Sequence, residues 1–73
     1  MKSKNRQLIA LSAKMVRIGK RMETEKQELK ELVDRGYGYD SPEVKTALAR
    51  YLQNKTEWEE TERAYLALRN GDA

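Results

Sequence analysis

Residues 8–32 read LIALSAKMVRIGKRMETEKQELKEL, and the spacing of apolar side chains in this stretch decides the fold. Leu8, Leu11, Met15, Ile18, Met22, Leu29 and Leu32 form a heptad row, which lies along one stripe of an α-helix and suits contact with other helices. Glu25 is the interruption, standing where a leucine is expected. Ile9, Val16 and Val33 widen the stripe beyond a narrow two-stranded seam, so this helix is expected to meet more than one neighbour, with the b-like positions facing a second hairpin. The spacing predicts a helix from about Asn5 to Arg35, capped by Ser3 or Asn5 and ended by Gly36 in a left-handed conformation.

Outward from that row, Gly36-Tyr37-Gly38-Tyr39-Asp40-Ser41-Pro42 breaks the periodicity. Ser41 followed by Pro42 reads as a cap plus first turn, with Glu43 favourable near the helix N-terminus. An alternative register makes Asp40 the cap and Glu43 its capping-box partner. The second helix is predicted from Pro42 or Glu43 to Leu68 or Arg69, burying Val44, Ala47, Leu48, Tyr51, Trp58, Tyr65 and Leu68. Small or polar Ala47, Asn54 and Thr61 alternate with the aromatic positions and leave gaps for bulky side chains of the first arm. Asn54 is a candidate for fixing register, and Lys55 is expected near Glu25, where the two either compensate a polar layer or are wholly exposed.

The fold class is therefore all-α: an antiparallel helical hairpin, one domain over residues 1–73 with flexible ends at about 1–4 and 70–73. Two helices alone bury little surface, so homodimerisation into a four-helix arrangement is expected.

Composition limits the chemistry. The chain has no cysteine and no histidine, which removes disulfides, thiolate catalysis, the usual zinc sites and the commonest neutral-pH proton shuttle. No catalytic residue, metal site or cofactor is assigned. Glu57, Glu59, Glu60 and Glu62 are concentrated in EWEETE, but clusters are expected in a chain with 12 acids, and solvation or cross-arm ion pairing accounts for them more simply. No apolar run approaches membrane-spanning length, and Lys14 and Arg17 break the early apolar stretch, so a cytoplasmic protein is the default expectation.

Charge is unevenly placed. Lys2, Lys4, Arg6, Lys14, Arg17, Lys20 and Arg21 all precede the first acid, Glu23. Such a cluster can bind a phosphate backbone, which makes these seven the candidate nucleic-acid-binding residues. In a hairpin they also lie beside the acidic segment of the other arm, and no zinc-finger spacing or phosphate-binding glycine loop accompanies them. Tyr37, Tyr39, Trp58 and Tyr65 are the candidate partner-binding or self-assembly residues, because Tyr and Trp combine large apolar area with a polar handle. Core packing is the competing reading for Tyr51, Trp58 and Tyr65, and packing over the hairpin end for Tyr37 and Tyr39.

Gly38-Tyr39-Asp40-Ser41-Pro42-Glu43-Val44, set between two amphipathic helices, resembles the central region of the small aspartyl-phosphate phosphatases that act on sporulation response regulators. The resemblance covers roughly residues 15–60 and implies a helical hairpin, a response-regulator partner and loss of that partner's aspartyl phosphate. That family's signature early in helix 2 is Ser-Gln-Glu-Leu-Asp; here the corresponding register reads Leu48-Ala49-Arg50-Tyr51-Leu52, so no catalytic residue carries over. The expected function is a non-catalytic regulatory or adaptor protein that binds another protein through helical surfaces, with DNA or RNA binding as the alternative.

Overall fold

The computed structural model describes residues 2–71, with side chains from Ser3 onward; Met1, Asp72 and Ala73, which belong to the expected flexible ends, lie outside the described residues. Helix α1 spans Lys2–Asp34 and helix α2 spans Pro42–Arg69, packed as an antiparallel all-α hairpin with extents of 53 × 17 × 13 Å. The first helix begins earlier than Asn5, so Ser3 and Asn5 lie inside it and neither is its cap. Lys4 is half-buried one turn before Leu8, so its alkyl stem extends the packing stripe where the sequence shows only polar letters.

The turn is built from local hydrogen bonds. The Tyr37 N–H donates to Leu32 O at 3.0 Å and the Gly36 N–H to Val33 O at 2.9 Å, the paired bonds of a Schellman ending. Gly36 has φ +96°, the left-handed conformation that this ending requires. A Cβ at Gly36 would meet nothing within 4 Å, so Gly36→Ala carries a backbone cost without a clash. Gly36→Ala is expected to lower stability by about 1 kcal/mol with the hairpin retained, read from denaturant unfolding.

Ser41 is the cap of α2. Its Oγ accepts from the Val44 N–H at 3.3 Å and donates to Gly38 O at 2.7 Å, and Pro42 follows in the first turn. At the far end the Gly71 N–H donates to Leu68 O at 3.2 Å with φ +77° at the glycine.

Heptad positions describe the packing compactly. On α1, Leu8, Met15, Met22 and Leu29 are a, and Lys4, Leu11, Ile18, Glu25 and Leu32 are d. On α2, Val44, Tyr51, Trp58 and Tyr65 are a, and Ala47, Asn54, Thr61 and Leu68 are d. Ile18 and Val44 are fully buried, Ala47 and Thr61 nearly so, and every other one of these positions is half-buried. The buried Thr61 hydroxyl donates to Glu57 O at 2.8 Å, which satisfies it within its own helix.

Asn54 Nδ2 donates to Glu25 Oε1 across the seam, so the polar layer is closed by Asn54 and not by Lys55. Asn54 and Glu25 are both d positions, whereas Lys55 is one step, about 100°, further around the helix. The same register sets Ile18 level with Thr61 and Leu32 level with Ala47, as two antiparallel helices demand. Leu48 departs from expectation: at position e it is 39% exposed, beside the seam and outside it.

Candidate interaction surface

The exposed aliphatic side chains are not scattered. Ile9, Val16, Val33, Leu48, Leu52 and Leu66 are the large aliphatic residues left exposed among those described, and all six occupy heptad positions b or e. On both helices these positions flank position a, so the exposed large aliphatic residues all border the seam on one side.

Three shallow grooves trace that side from turn to termini. Near the turn, Leu29 and Val33 lie beside Tyr39, Val44 and Leu48. At mid-length, Gly19, Met22, Glu23 and Lys26 face Tyr51, Lys55, Trp58 and Glu59. Towards the termini, Ser12, Met15, Val16 and Gly19 lie beside Trp58 and Tyr65. The opposite side is lined by Lys20, Arg21, Thr24, Glu25, Glu28 and Arg50, then by Gln7, Ala10, Leu11, Ala64 and Leu68. The side with the exposed aliphatic residues carries the aromatic groups Tyr39, Tyr51, Trp58 and Tyr65, with charge at its middle, whereas the other is charged at mid-length and apolar, without aromatic groups, towards the termini.

The four candidate contact residues divide in two. Trp58 and Tyr65 are half-buried, packed at the seam by one edge and lining the terminal groove by the other. Tyr39 is 78% exposed and borders the groove at the turn end, while Tyr37, at the Schellman ending, is 38% exposed. Tyr39 therefore joins the same side as Trp58 and Tyr65. Core packing and exposure both hold for Trp58 and Tyr65.

Among the candidate basic residues, Lys4 is half-buried, and the described side chains of Arg6, Lys14, Arg17, Lys20 and Arg21 are exposed; the Lys2 side chain lies outside the description. The five exposed ones occupy positions c, f and g of α1, away from the apolar side. The acidic segment is dispersed: Glu59 lines the mid-length groove with Lys26 and Lys55, Glu57 and Glu62 are half-buried, and Glu60 is exposed. Among the described residues no group of three or more acidic side chains is arranged to hold a metal ion. Where the phosphatase signature would end in an acid, the chain presents the aliphatic, exposed Leu52.

Sequence reasoning missed Gly19 as part of the surface. A Cβ there would meet nothing within 4 Å, so the glycine leaves a notch beside Trp58 that packing within the hairpin does not require. The signal was present: glycine costs about 1 kcal/mol relative to alanine inside a helix, and this one sits in the middle of α1. No helix among the described residues is long and apolar enough to cross a membrane. Comparison with family models, with curated proteins and with solved structures gave no match to this chain.

Proposed function

We propose that this protein is a non-catalytic regulatory or adaptor module of the cytoplasm that binds another protein through its helical surfaces. The carrying observation is the confinement of all six exposed aliphatic residues, together with Trp58, Tyr65 and Tyr39, to one long side of the hairpin. Apolar and aromatic groups gathered on one side, with charged residues at its middle and edges, suit a helix-packing interface in which the aromatic side chains act as anchors. Tyr37 and Tyr39 add contacts at the tip, and the basic end of α1 tunes encounter through charge.

A second reading, binding to DNA or RNA, is favoured by one specific observation: Arg6, Lys14, Arg17, Lys20 and Arg21 are exposed along one side of α1. The two readings separate experimentally. A partner captured from the native cell is confirmed by direct binding, then remeasured with Tyr37→Ala/Tyr39→Ala and with Lys2, Lys4 and Arg6 changed to Gln, across a salt series. The adaptor reading expects at least a tenfold loss from the tyrosine pair and a modest, salt-dependent change in association rate from the charge variant. Loss of binding from the charge variant alone, matched by an equal loss in salt, reassigns the protein to phosphate-backbone binding.

A further inference from the structure

We propose that the apolar side is covered by a second copy of this chain, docked antiparallel so that the turn of one hairpin lies over the terminal end of the other. This rests on the reading of that side as an interface and narrows it to one occupant. Four features argue for it.

The first is need. Among the described residues, helices of 33 and 28 residues bury Ile18, Val44, Ala47 and Thr61 and leave the rest of the seam half-exposed, and the chain has no cysteine to staple it. A scaffold of this size without disulfide or metal reaches stability most directly by association. The second is size. A side that spans both helices, within extents of 53 × 17 × 13 Å, offers a footprint on the order of 700–900 Å² per copy, close to the roughly 800 Å² per partner of a standard stable interface.

The third is charge. Of the b and e positions that border the apolar side, those of the turn half, residues 20–59, carry Lys26, Lys30, Lys45 and Lys55 against Glu23 and Glu59, whereas those of the terminal half carry Glu62 and Arg69 among the described residues. A twofold axis along the hairpin would set the two basic turn halves side by side. An axis across it sets each turn half on the other copy's terminal half. Near the centre of the strip, Glu23 and Lys26 on α1 and Lys55 and Glu59 on α2 line one groove. An axis crossing there matches Glu23 with Lys26 and Lys55 with Glu59 between copies, since an isologous interface must be complementary to itself.

The fourth is shape. The notch at Gly19 lies beside Trp58 near that centre, where two helices must approach most closely. The turn-end group of Val33, Tyr39 and Leu48 falls opposite the terminal group of Ile9, Val16 and Tyr65, apolar against apolar.

The test uses the whole chain. Val16→Glu/Leu66→Glu charges two side chains that are 57% and 42% exposed and leaves the a/d seam unchanged, and the dimer dissociation constant from sedimentation equilibrium is expected to rise at least 100-fold. Orientation is read from nitroxide pairs on single cysteines, which the cysteine-free chain permits at the exposed positions Arg6 and Thr56. With the axis near Glu23, labels at residue 6 are expected roughly 50 Å apart and labels at residue 56 about 20–30 Å, from about 1.5 Å of rise per residue. Residue-6 labels closer than about 30 Å mean a parallel pair and overturn the proposal, as does dimerisation unaffected by the Glu variant. A parent chain that stays monomeric throughout, yet binds a captured protein through this side, overturns the second-copy proposal and leaves the adaptor reading standing. A dimer with the expected distances and no other protein bound upholds the proposal and removes the adaptor reading.

Discussion

Ile18→Asp is expected to abolish the cooperative unfolding transition and, with it, assembly. Ile18 is 0% exposed, at a d position level with the buried Thr61, so the carboxylate would replace apolar packing inside the seam. Loss of the isoleucine costs about 2–3 kcal/mol in burial alone. Shielding an unpaired charge adds several kcal/mol more, or is avoided by opening the helices. A protein held by a net few kcal/mol does not survive that sum. Ile18→Val, which removes one methyl group, is expected to cost about 1 kcal/mol and keep the fold. Val16→Asp, two residues away on the exposed side, is the control: far-UV circular dichroism should hold near the parent value while molar mass falls. Unchanged helicity and assembly in Ile18→Asp would remove that residue from the core.

The contrast between positions 16 and 18 shows how far the sequence was legible. Heptad spacing identified Ile18 as seam and Val16 as an outer position, because a 3.6-residue period fixes angles around one helix to within a few tens of degrees. It also carried the helix boundaries wherever a side chain or glycine has a local job: Ser41 and Pro42 at the start of α2, and Gly36 at the end of α1. It failed at Lys4, which is half-buried although the letter reads as polar. Leu48 was placed in the buried face because an e residue and an a residue look alike on one wheel; only the partner helix decides which side of the seam is roofed. The same limit explains why the b/e side was read on α1, from Ile9, Val16 and Val33, and not on α2. Antiparallel packing places the e residues of both helices in one groove and the g residues in the other. Lys55 was matched to Glu25 by charge, and Asn54 won by geometry, since the register pairs d with d.

That Glu25–Asn54 layer leads to the second large effect: Glu25→Leu/Asn54→Leu is expected to raise stability while loosening register. Both residues are half-buried at d, and a hydrogen-bonded polar pair there displaces two leucines' worth of seam packing. Replacing such a pair by apolar groups is often neutral or stabilising, here by about 1–3 kcal/mol, with the upper half of that range requiring good packing against Met22 and Tyr51. Asn54→Leu alone goes the other way, by about 1–2 kcal/mol, because it strips the donor from a half-buried Glu25 carboxylate. The double-mutant cycle across the four proteins isolates the coupling. With leucine at both positions the polar layer no longer penalises a misaligned α2, and the Gly36–Ser41 turn is left to resist a slide against α1. The signature is a higher unfolding midpoint together with broadened or doubled amide resonances. A double variant less stable than either single one would instead make the pair a net source of stability, with register then set by the Gly36–Ser41 turn.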